Sequence, residues 1–201
     1  MSRHIFNIPP GTEGLIFDLD GTLADSMPLH FQAWKASCEK FGVPCDPKEM
    51  VQYAGLSTYK IAIEVLQKHN HFKPGLAEAM AQYKIETFDR LHHLVQPIPD
   101  IVNLVYKHHK TLPMAVGTGG TRATALETLR ILDLNRYFKA VVAAEDVEHH
   151  KPEPDTFLKC AKLMNIKPHL CHVFEDGDRG VEAARRAGMT VTDVRPMLKS
   201  K

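Results

Sequence analysis

Short apolar runs alternate with amphipathic segments through the second half of the chain, and this alternation most constrains the fold. Helices are predicted to begin between the runs, near Thr121, Pro154 and Asp178. Strands that alternate with helices in this way form a parallel sheet whose two faces are covered by right-handed crossovers. The pattern predicts an α/β fold, a doubly wound, Rossmann-like parallel sheet, with strands at residues 114–117, 140–144, 171–175 and 190–194.

A further buried strand is predicted near the start of the chain, and a helical insertion follows it. The apolar run Leu15–Asp20 ends in Gly21-Thr22, which is typical of a buried strand that emerges at a sheet edge. From Asp25 to Gln96 the apolar residues keep helical spacing, with Ser26 as a predicted N-cap and a capping box at residues 46–49. We therefore predict a core domain of residues 1–24 and 97–201 and a helical-bundle cap domain of residues 25–96.

Composition excludes several classes of function. The 201 residues include 25 Lys and Arg against 24 Asp and Glu, a formal charge of +1, which supplies no field for a nucleic acid or an anionic membrane. No apolar run reaches the roughly 18 residues of a membrane span, and Pro9-Pro10 interrupts the start before a signal-peptide core develops. The 4 cysteines lack C-x-x-C spacing. We expect a cytoplasmic monomer with no nucleic-acid or membrane partner.

Polar residues stand where the predicted strands end. Ligands of an open parallel sheet bind beyond the carboxyl ends of its strands, near the point where strand order reverses. Four separate segments would reach that rim, and they supply carboxylates, a hydroxyl with glycine amides, and a lysine: Asp18–Thr22, Gly117–Gly120, His149–Pro152 and Glu175–Asp178.

This set of groups fits phosphoryl transfer. Carboxylates that converge with few basic residues can neutralise a phosphate only by recruiting a hard cation, Mg²⁺. Asp18 would attack phosphorus and form an aspartyl phosphate, while Asp20 would protonate the leaving oxygen and later deprotonate water. Thr118 and the amide of Gly119 would bind phosphate oxygens. Lys151 would balance the charge of phosphate and nucleophile, and Asp176, beside Glu175, would complete the oxygen shell of the metal.

These segments, in this order, resemble the four motifs of the haloacid dehalogenase superfamily. The D-x-D-G-T motif is Asp18 to Thr22, the second motif is Thr118, the third is Lys151 and the fourth is Glu175-Asp176. The helical insertion is similar to the cap of the β-phosphoglucomutase-like subfamily, and the stretches 114–119, 141–146 and 149–157 are similar to bacterial fructose-1-phosphatase-like sugar phosphatases. The resemblance implies a Mg²⁺-dependent phosphatase of small phosphorylated sugars, with metal ligands among Asp18, Asp20, Glu175 and Asp176; in this family the second aspartate binds through its backbone carbonyl.

Two alternatives remain beside hydrolysis. His30 and Lys84 fall where related sugar phosphomutases carry cap residues that bind the substrate, so both are candidate substrate-binding residues and a mutase is the main alternative. However, the cap segment around Gly55–Thr58 has no arginine where mutases hold a second phosphate, which favours hydrolysis. A phospho-accepting signalling module is a third class, and the insertion after the first strand argues against it. Outside the motifs, Asp178 is interpreted as a helix N-cap.

Overall fold

The structure, a computed structural model, describes residues 6–46, 50, 53 and 56–198. Most of the predicted capping box at residues 46–49, as well as Gly55, lies outside the described residues. The chain divides into two compact units: residues up to Asp25 together with those from Gln96 onward, and the segment Ser26–Val95 between them. These limits lie one residue from the predicted domain boundaries.

The first unit is built on a parallel sheet of five strands in the order β5-β4-β1-β6-β7. The strands are β1 (Gly14–Phe17), β4 (Met114–Gly117), β5 (Ala140–Val142), β6 (Cys171–Glu175) and β7 (Thr190–Asp193). All four residues of β1 are buried, as expected for a strand with neighbours on both sides and helices on both faces. Because β1 pairs with both β4 and β6, the strand order reverses there.

Helices of the first unit cover the sheet. One buried cluster joins strand residues such as Ile16 and Val173 to Phe157, Cys160 and Ala184 of the flanking helices. These helices are α4 (Pro99–His108), α5 (Arg122–Ile131), α6 (Asp155–Met164), α7 (Asp178–Arg186) and α8 (Arg195–Leu198). The predicted doubly wound α/β fold is confirmed.

The second unit is helical, and it has an apolar cluster of its own. Its helices are α1 (Met27–Phe41), α2 (Thr58–Lys68) and α3 (Leu76–Leu91), and the buried cluster includes Trp34, Leu66 and Met80. α1 ends at Gly42, whose φ of 67° is the left-handed conformation that glycine adopts at low cost. The two connections between the units leave the first unit side by side, as the short antiparallel strands β2 (Ala24–Asp25) and β3 (Gln96–Pro97).

Several element ends differ from the predictions. β1 stops at Phe17 rather than Asp20, because the Leu19 carbonyl accepts hydrogen bonds from the amides of residues 22, 23 and 24 and so turns the chain. β5 stops at Val142, two residues early. Ser26 stands at the N-cap of α1 without a capping hydrogen bond from its side chain. The prediction that Asp178 is an N-cap is wrong: Gly177 holds that position, and the Asp178 carboxylate instead pairs with Arg195 at 2.5 Å.

In the described part of the chain, no helix combines the length and apolar character needed to cross a bilayer.

Candidate active site

The turn after β1 carries Asp18 and Asp20. The Asp18 amide donates to the carbonyl of Phe174 at 2.9 Å, which extends the β1–β6 pairing by one residue and fixes the start of the turn. Gly21 has a φ of 85°, and a Cβ at this position would overlap the Asp176 carboxylate. Glycine is therefore required here both by the backbone conformation and by the close approach of the two loops. Thr22 completes the contact, since its hydroxyl donates to Asp176 Oδ1 at 2.9 Å.

Lys151 and Asp18 form a buried ion pair. The Lys151 ammonium donates to Asp18 Oδ1 at 2.6 Å and to Glu175 Oε1 at 2.9 Å, and it lies 4.7 Å from the centre of the Phe157 ring. All three charged residues are at most 6% exposed. The structure thus brings together residues from the ends of β1 and β6 and from the segment before α6, as predicted for the rim of the sheet.

The charges at this rim change the proton affinities of the groups. Burial, with further contributions from Glu175 and Asp176, raises the pKa of Asp18 well above its ordinary value despite the opposing effect of Lys151. Burial is also the largest cause of the raised pKa of Asp176. The charges of Glu175 and Asp20 add to this effect, and the pKa of Asp176 rises to about 7. Burial alone would lower the pKa of Lys151, but Asp18 and Glu175 outweigh it and raise that pKa. The lysine is a permanent cation in this site.

Glu175 is held by neighbours that sequence reasoning did not identify. Its Oε1 accepts from Lys151, and its Oε2 accepts from the Gly177 amide. A Cβ at Gly180, in the first turn of α7, would overlap this carboxylate. The two glycines of the sequence Gly177-Asp-Arg-Gly180 therefore make room for a buried carboxylate, and their spacing after Glu175 was the available signal.

Thr118 and Gly119 lie at the end of β4. Thr118 is buried, its amide donates to the Val142 carbonyl at 2.9 Å, and its Oγ1 accepts from the Gly120 amide at 2.9 Å. The Gly120 amide is thus used within the loop. The Thr118 hydroxyl keeps its own proton to donate, and no described residue accepts from the Gly119 amide. An ideal Cβ built on Gly120 would lie 3.7 Å from Asp20 Oδ2, so this loop and the first motif are neighbours.

His30 and Lys84 meet within the second unit. The Lys84 ammonium lies 2.9 Å from His30 Nδ1, and the His30 ring stacks on Phe88 with centroids 4.0 Å apart. Lys84 is buried and also lies 5.8 Å from the centre of the Trp34 ring. The two side chains are thus adjacent in the structure, and their role in substrate binding stays a prediction.

The donor set at the rim fits a hard divalent cation. Four carboxylates lie at this rim, those of Asp18, Asp20, Glu175 and Asp176, and the Lys151 ammonium contacts two of them, Asp18 and Glu175. Burial first, and neighbouring carboxylates second, raise the pKa values of Asp18 and Asp176. Among the described residues, no group of three or more His, Cys, Asp or Glu side chains is arranged to hold a metal. A site of two carboxylates and a backbone carbonyl does not need such a group, and the metal ligands stay a prediction.

Comparisons with known proteins give a consistent family assignment. A sequence profile described as haloacid dehalogenase-like hydrolase matches residues 15–194. The chain is 44% identical over 184 residues to the fructose-1-phosphate phosphatase YqaB of Escherichia coli, covering 90% of this chain and 96% of that protein. It is 32% identical to a phosphorylated carbohydrates phosphatase of Thermotoga maritima, covering 88% of this chain and 82% of the relative. The crystal structure of β-phosphoglucomutase from Clostridium difficile superposes with a TM-score of 0.82 at 25% identity, covering 94% and 88% of the two chains.

Proposed function

The chain belongs to the haloacid dehalogenase-like hydrolase family, and on that premise we propose that it is a phosphatase that hydrolyses small phosphorylated sugars such as fructose 1-phosphate. The observation that carries the proposal is the buried Asp18 carboxylate, which lies 2.6 Å from the Lys151 ammonium and close enough to Asp176 for that carboxylate to raise its pKa. The 44% identity of the chain to a fructose-1-phosphate phosphatase, over nearly the whole length of both proteins, supports this substrate class.

In the proposed reaction, Asp18 is the nucleophile and Asp20 is the general acid and base. An Asp18 carboxylate oxygen forms a bond to phosphorus while the bond from phosphorus to the sugar oxygen breaks, and Asp20 gives its proton to the departing oxygen. Water then attacks phosphorus, Asp20 takes the proton from that water, and the bond from phosphorus to the Asp18 oxygen breaks. Lys151 compensates the charge of phosphate and nucleophile, while Thr118 and the Gly119 amide bind phosphate oxygens.

We propose Mg²⁺ as the cofactor, held by Asp18, Asp176 and the backbone carbonyl of Asp20. When bound, it would neutralise charge on the transferred phosphoryl group. Because both oxygens of Glu175 already accept hydrogen bonds, from Lys151 and Gly177, we assign Glu175 to orienting Lys151 rather than to direct contact with the metal. The four cysteines are thiols rather than halves of disulfides, which supports the proposed cytoplasmic location.

A panel of sugar phosphates tests the proposal. We expect phosphate release in the presence of Mg²⁺ over many turnovers, and reversible loss of that release with excess EDTA. The adjacent His30 and Lys84 in the second unit keep a sugar phosphomutase as the alternative, so isomerisation of β-glucose 1-phosphate is measured in parallel. Isomerisation without phosphate release would favour the mutase, and a single stoichiometric labelling by acetyl phosphate would favour a signalling module.

A further inference from the structure

The start of α5 is occupied by a carboxylate of the protein itself. The Arg122 amide, the first in the helix, donates to both oxygens of Glu145 at 3.2 and 3.0 Å. Thr121, the N-cap residue, accepts from the Thr124 amide through its hydroxyl at 3.3 Å. Unpaired amides at a helix start are a ready site for a phosphate or carboxylate of a ligand. Here Glu145 already takes one of these positions.

This helix start lies next to the predicted phosphate-binding loop. The Ala144 amide donates to the Gly120 carbonyl at 2.9 Å, which ties the residue before Glu145 to the loop that carries Thr118. Gly120 is in turn a neighbour of Asp20, since an ideal Cβ on Gly120 would lie 3.7 Å from Asp20 Oδ2. The residue before Glu145 is therefore hydrogen-bonded to the loop that carries Thr118, and this loop borders Asp20.

No cationic side chain in the described part of the chain pairs with Glu145. Arg122, whose amide bonds to Glu145, directs its guanidinium to Asp146 and the Val141 carbonyl instead. Asp146 is fixed as well, because its carboxylate accepts from the Ala143 amide at 2.8 Å. Glu145 is exposed, and because it pairs with no cationic side chain of the described residues, its carboxylate presents a negative charge to whatever approaches the start of α5.

We propose that Glu145 determines substrate specificity by rejecting sugar phosphates whose non-reacting end carries a second phosphate or a carboxylate. The inference rests on the proposed phosphatase function and narrows its substrate class to monophosphates of neutral sugars. Two effects act together: the carboxylate fills the anion position at the helix start, and its charge repels a second anion. A neutral sugar end experiences neither effect.

The variant Glu145→Gln tests the inference, because glutamine still accepts a hydrogen bond from the Arg122 amide but carries no charge. The probes are fructose 1-phosphate and fructose 1,6-bisphosphate, the second used both as a substrate and as an inhibitor of hydrolysis of the first. We expect the KM and inhibition constant of the bisphosphate to fall about tenfold in the variant, while kcat for fructose 1-phosphate changes less than twofold. Added salt should weaken discrimination in the wild type and have little effect in the variant.

Glu148→Gln is the matched control, since it removes the same charge from another exposed residue of the same segment. The inference is wrong if both variants change bisphosphate binding equally, or if Glu145→Gln shifts the KM of the two probes together. A thermal unfolding curve for each variant confirms that it is folded. A folded wild type that releases phosphate from neither probe overturns the proposed function and this inference with it, whereas an active enzyme without the expected shift overturns the inference alone.

Discussion

Lys151 is a buried ammonium whose contacts explain why the site needs a permanent cation. It lies 2.6 Å from Asp18 and 2.9 Å from Glu175, in surroundings that would otherwise favour neutral groups. Burial of such a pair seldom adds net stability, because the cost of removing the charges from water is about as large as their attraction. The arrangement is therefore better explained by chemistry: the Lys151 ammonium orients the Asp18 carboxylate and favours its ionised form, which opposes the rise in pKa that burial causes.

Asp18→Asn tests the nucleophile directly. Asparagine keeps the shape of the side chain and an oxygen that can accept from Lys151, but it cannot form a stable ester with phosphorus. We expect the steady-state release of phosphate from fructose 1-phosphate to fall by about three orders of magnitude or more, which corresponds to about 4 kcal/mol in the activation free energy. Asp25→Asn, at an exposed residue of the same unit, should keep wild-type activity. If Asp18→Asn kept more than a tenth of the activity, Asp18 would not be the nucleophile.

Among the elements, the first turn of α7 is shaped around the Glu175 side chain. Gly180 is a helical residue, and alanine there would ordinarily raise helix stability by up to about 1 kcal/mol. However, a Cβ at Gly180 would overlap the Glu175 carboxylate. We expect Gly180→Ala to lower the free energy of unfolding in urea and to reduce kcat, since displacement of Glu175 removes one of the two partners of Lys151.

The same substitution should have the opposite sign in a second background. In Glu175→Ala the overlapping carboxylate is absent, so Gly180→Ala should then be neutral or stabilising by about 0.5–1 kcal/mol. Loss of stability of equal size in both backgrounds would show that helix packing, and not the carboxylate, requires this glycine.

The pair β6 and β7 contains a histidine whose protonation opposes folding. His172 is 2% exposed, and its ring nitrogens lie 2.8 Å from Thr190 Oγ1 and 2.9 Å from Thr192 Oγ1. Burial lowers its pKa from 6.5 to about 4. Between these two values the unfolded chain binds a proton that the folded chain does not, so His172 stabilises the fold above pH 6.5 and loses that contribution as the pH falls.

His172→Gln removes this titration but keeps a donor and an acceptor for the two threonines. We expect the difference in unfolding free energy between the wild type and the variant to be constant above pH 7 and to shrink by about 2 kcal/mol between pH 7 and pH 5. Carboxylates contribute equally to both proteins and cancel in the difference. His169→Gln, at an exposed histidine, is the control, and the change with pH should be larger for His172→Gln than for this control. A difference for His172→Gln that does not change with pH would mean that the buried imidazole is not held neutral.

Elements were predictable where burial dictates composition. A strand covered on both faces must be continuously apolar, and β4 and β6 were predicted at their observed limits for that reason. The ends were less predictable, because they depend on contacts between distant residues. β1 stops at Phe17 because the turn amides bond to the Leu19 carbonyl, and α7 begins with Asp178 after a Gly177 N-cap whose amide bonds to Glu175. No local sequence pattern predicts the hydrogen bonds that set these two ends.

At the scale of the whole chain, the topology of the sheet made the site predictable. Asp18 and Lys151 are 133 residues apart in sequence, yet parallel strands bring their carboxyl ends to one edge, so their approach follows from the fold. Which side chains pair with one another at that edge does not follow from the fold. The sequence indicated a lysine near carboxylates, but the contacts in the structure identify Glu175 as its second partner and Glu145 as the acceptor for the first amide of α5.

Each compact unit contains an apolar cluster of its own, and the two units are connected at residues 25–26 and 95–96. Met80 on α3 is fully buried in the cluster of the helical unit. Met80→Ala should cost about 2–5 kcal/mol through the cavity that it leaves, while alanine preserves the helix propensity of α3.

Because that cost falls on the helical unit, hydrogen exchange should distinguish the two clusters. We expect amides of α1, α2 and α3 to exchange faster in Met80→Ala, with those of β1, β4 and β6 unchanged. Gln82→Ala, at an exposed residue of the same helix, should leave both sets near wild-type rates. An equal increase in the exchange rates of helices and sheet would instead show that the two units unfold as one. The helical unit could then not unfold on its own while the sheet still holds Asp18 and Lys151 in place.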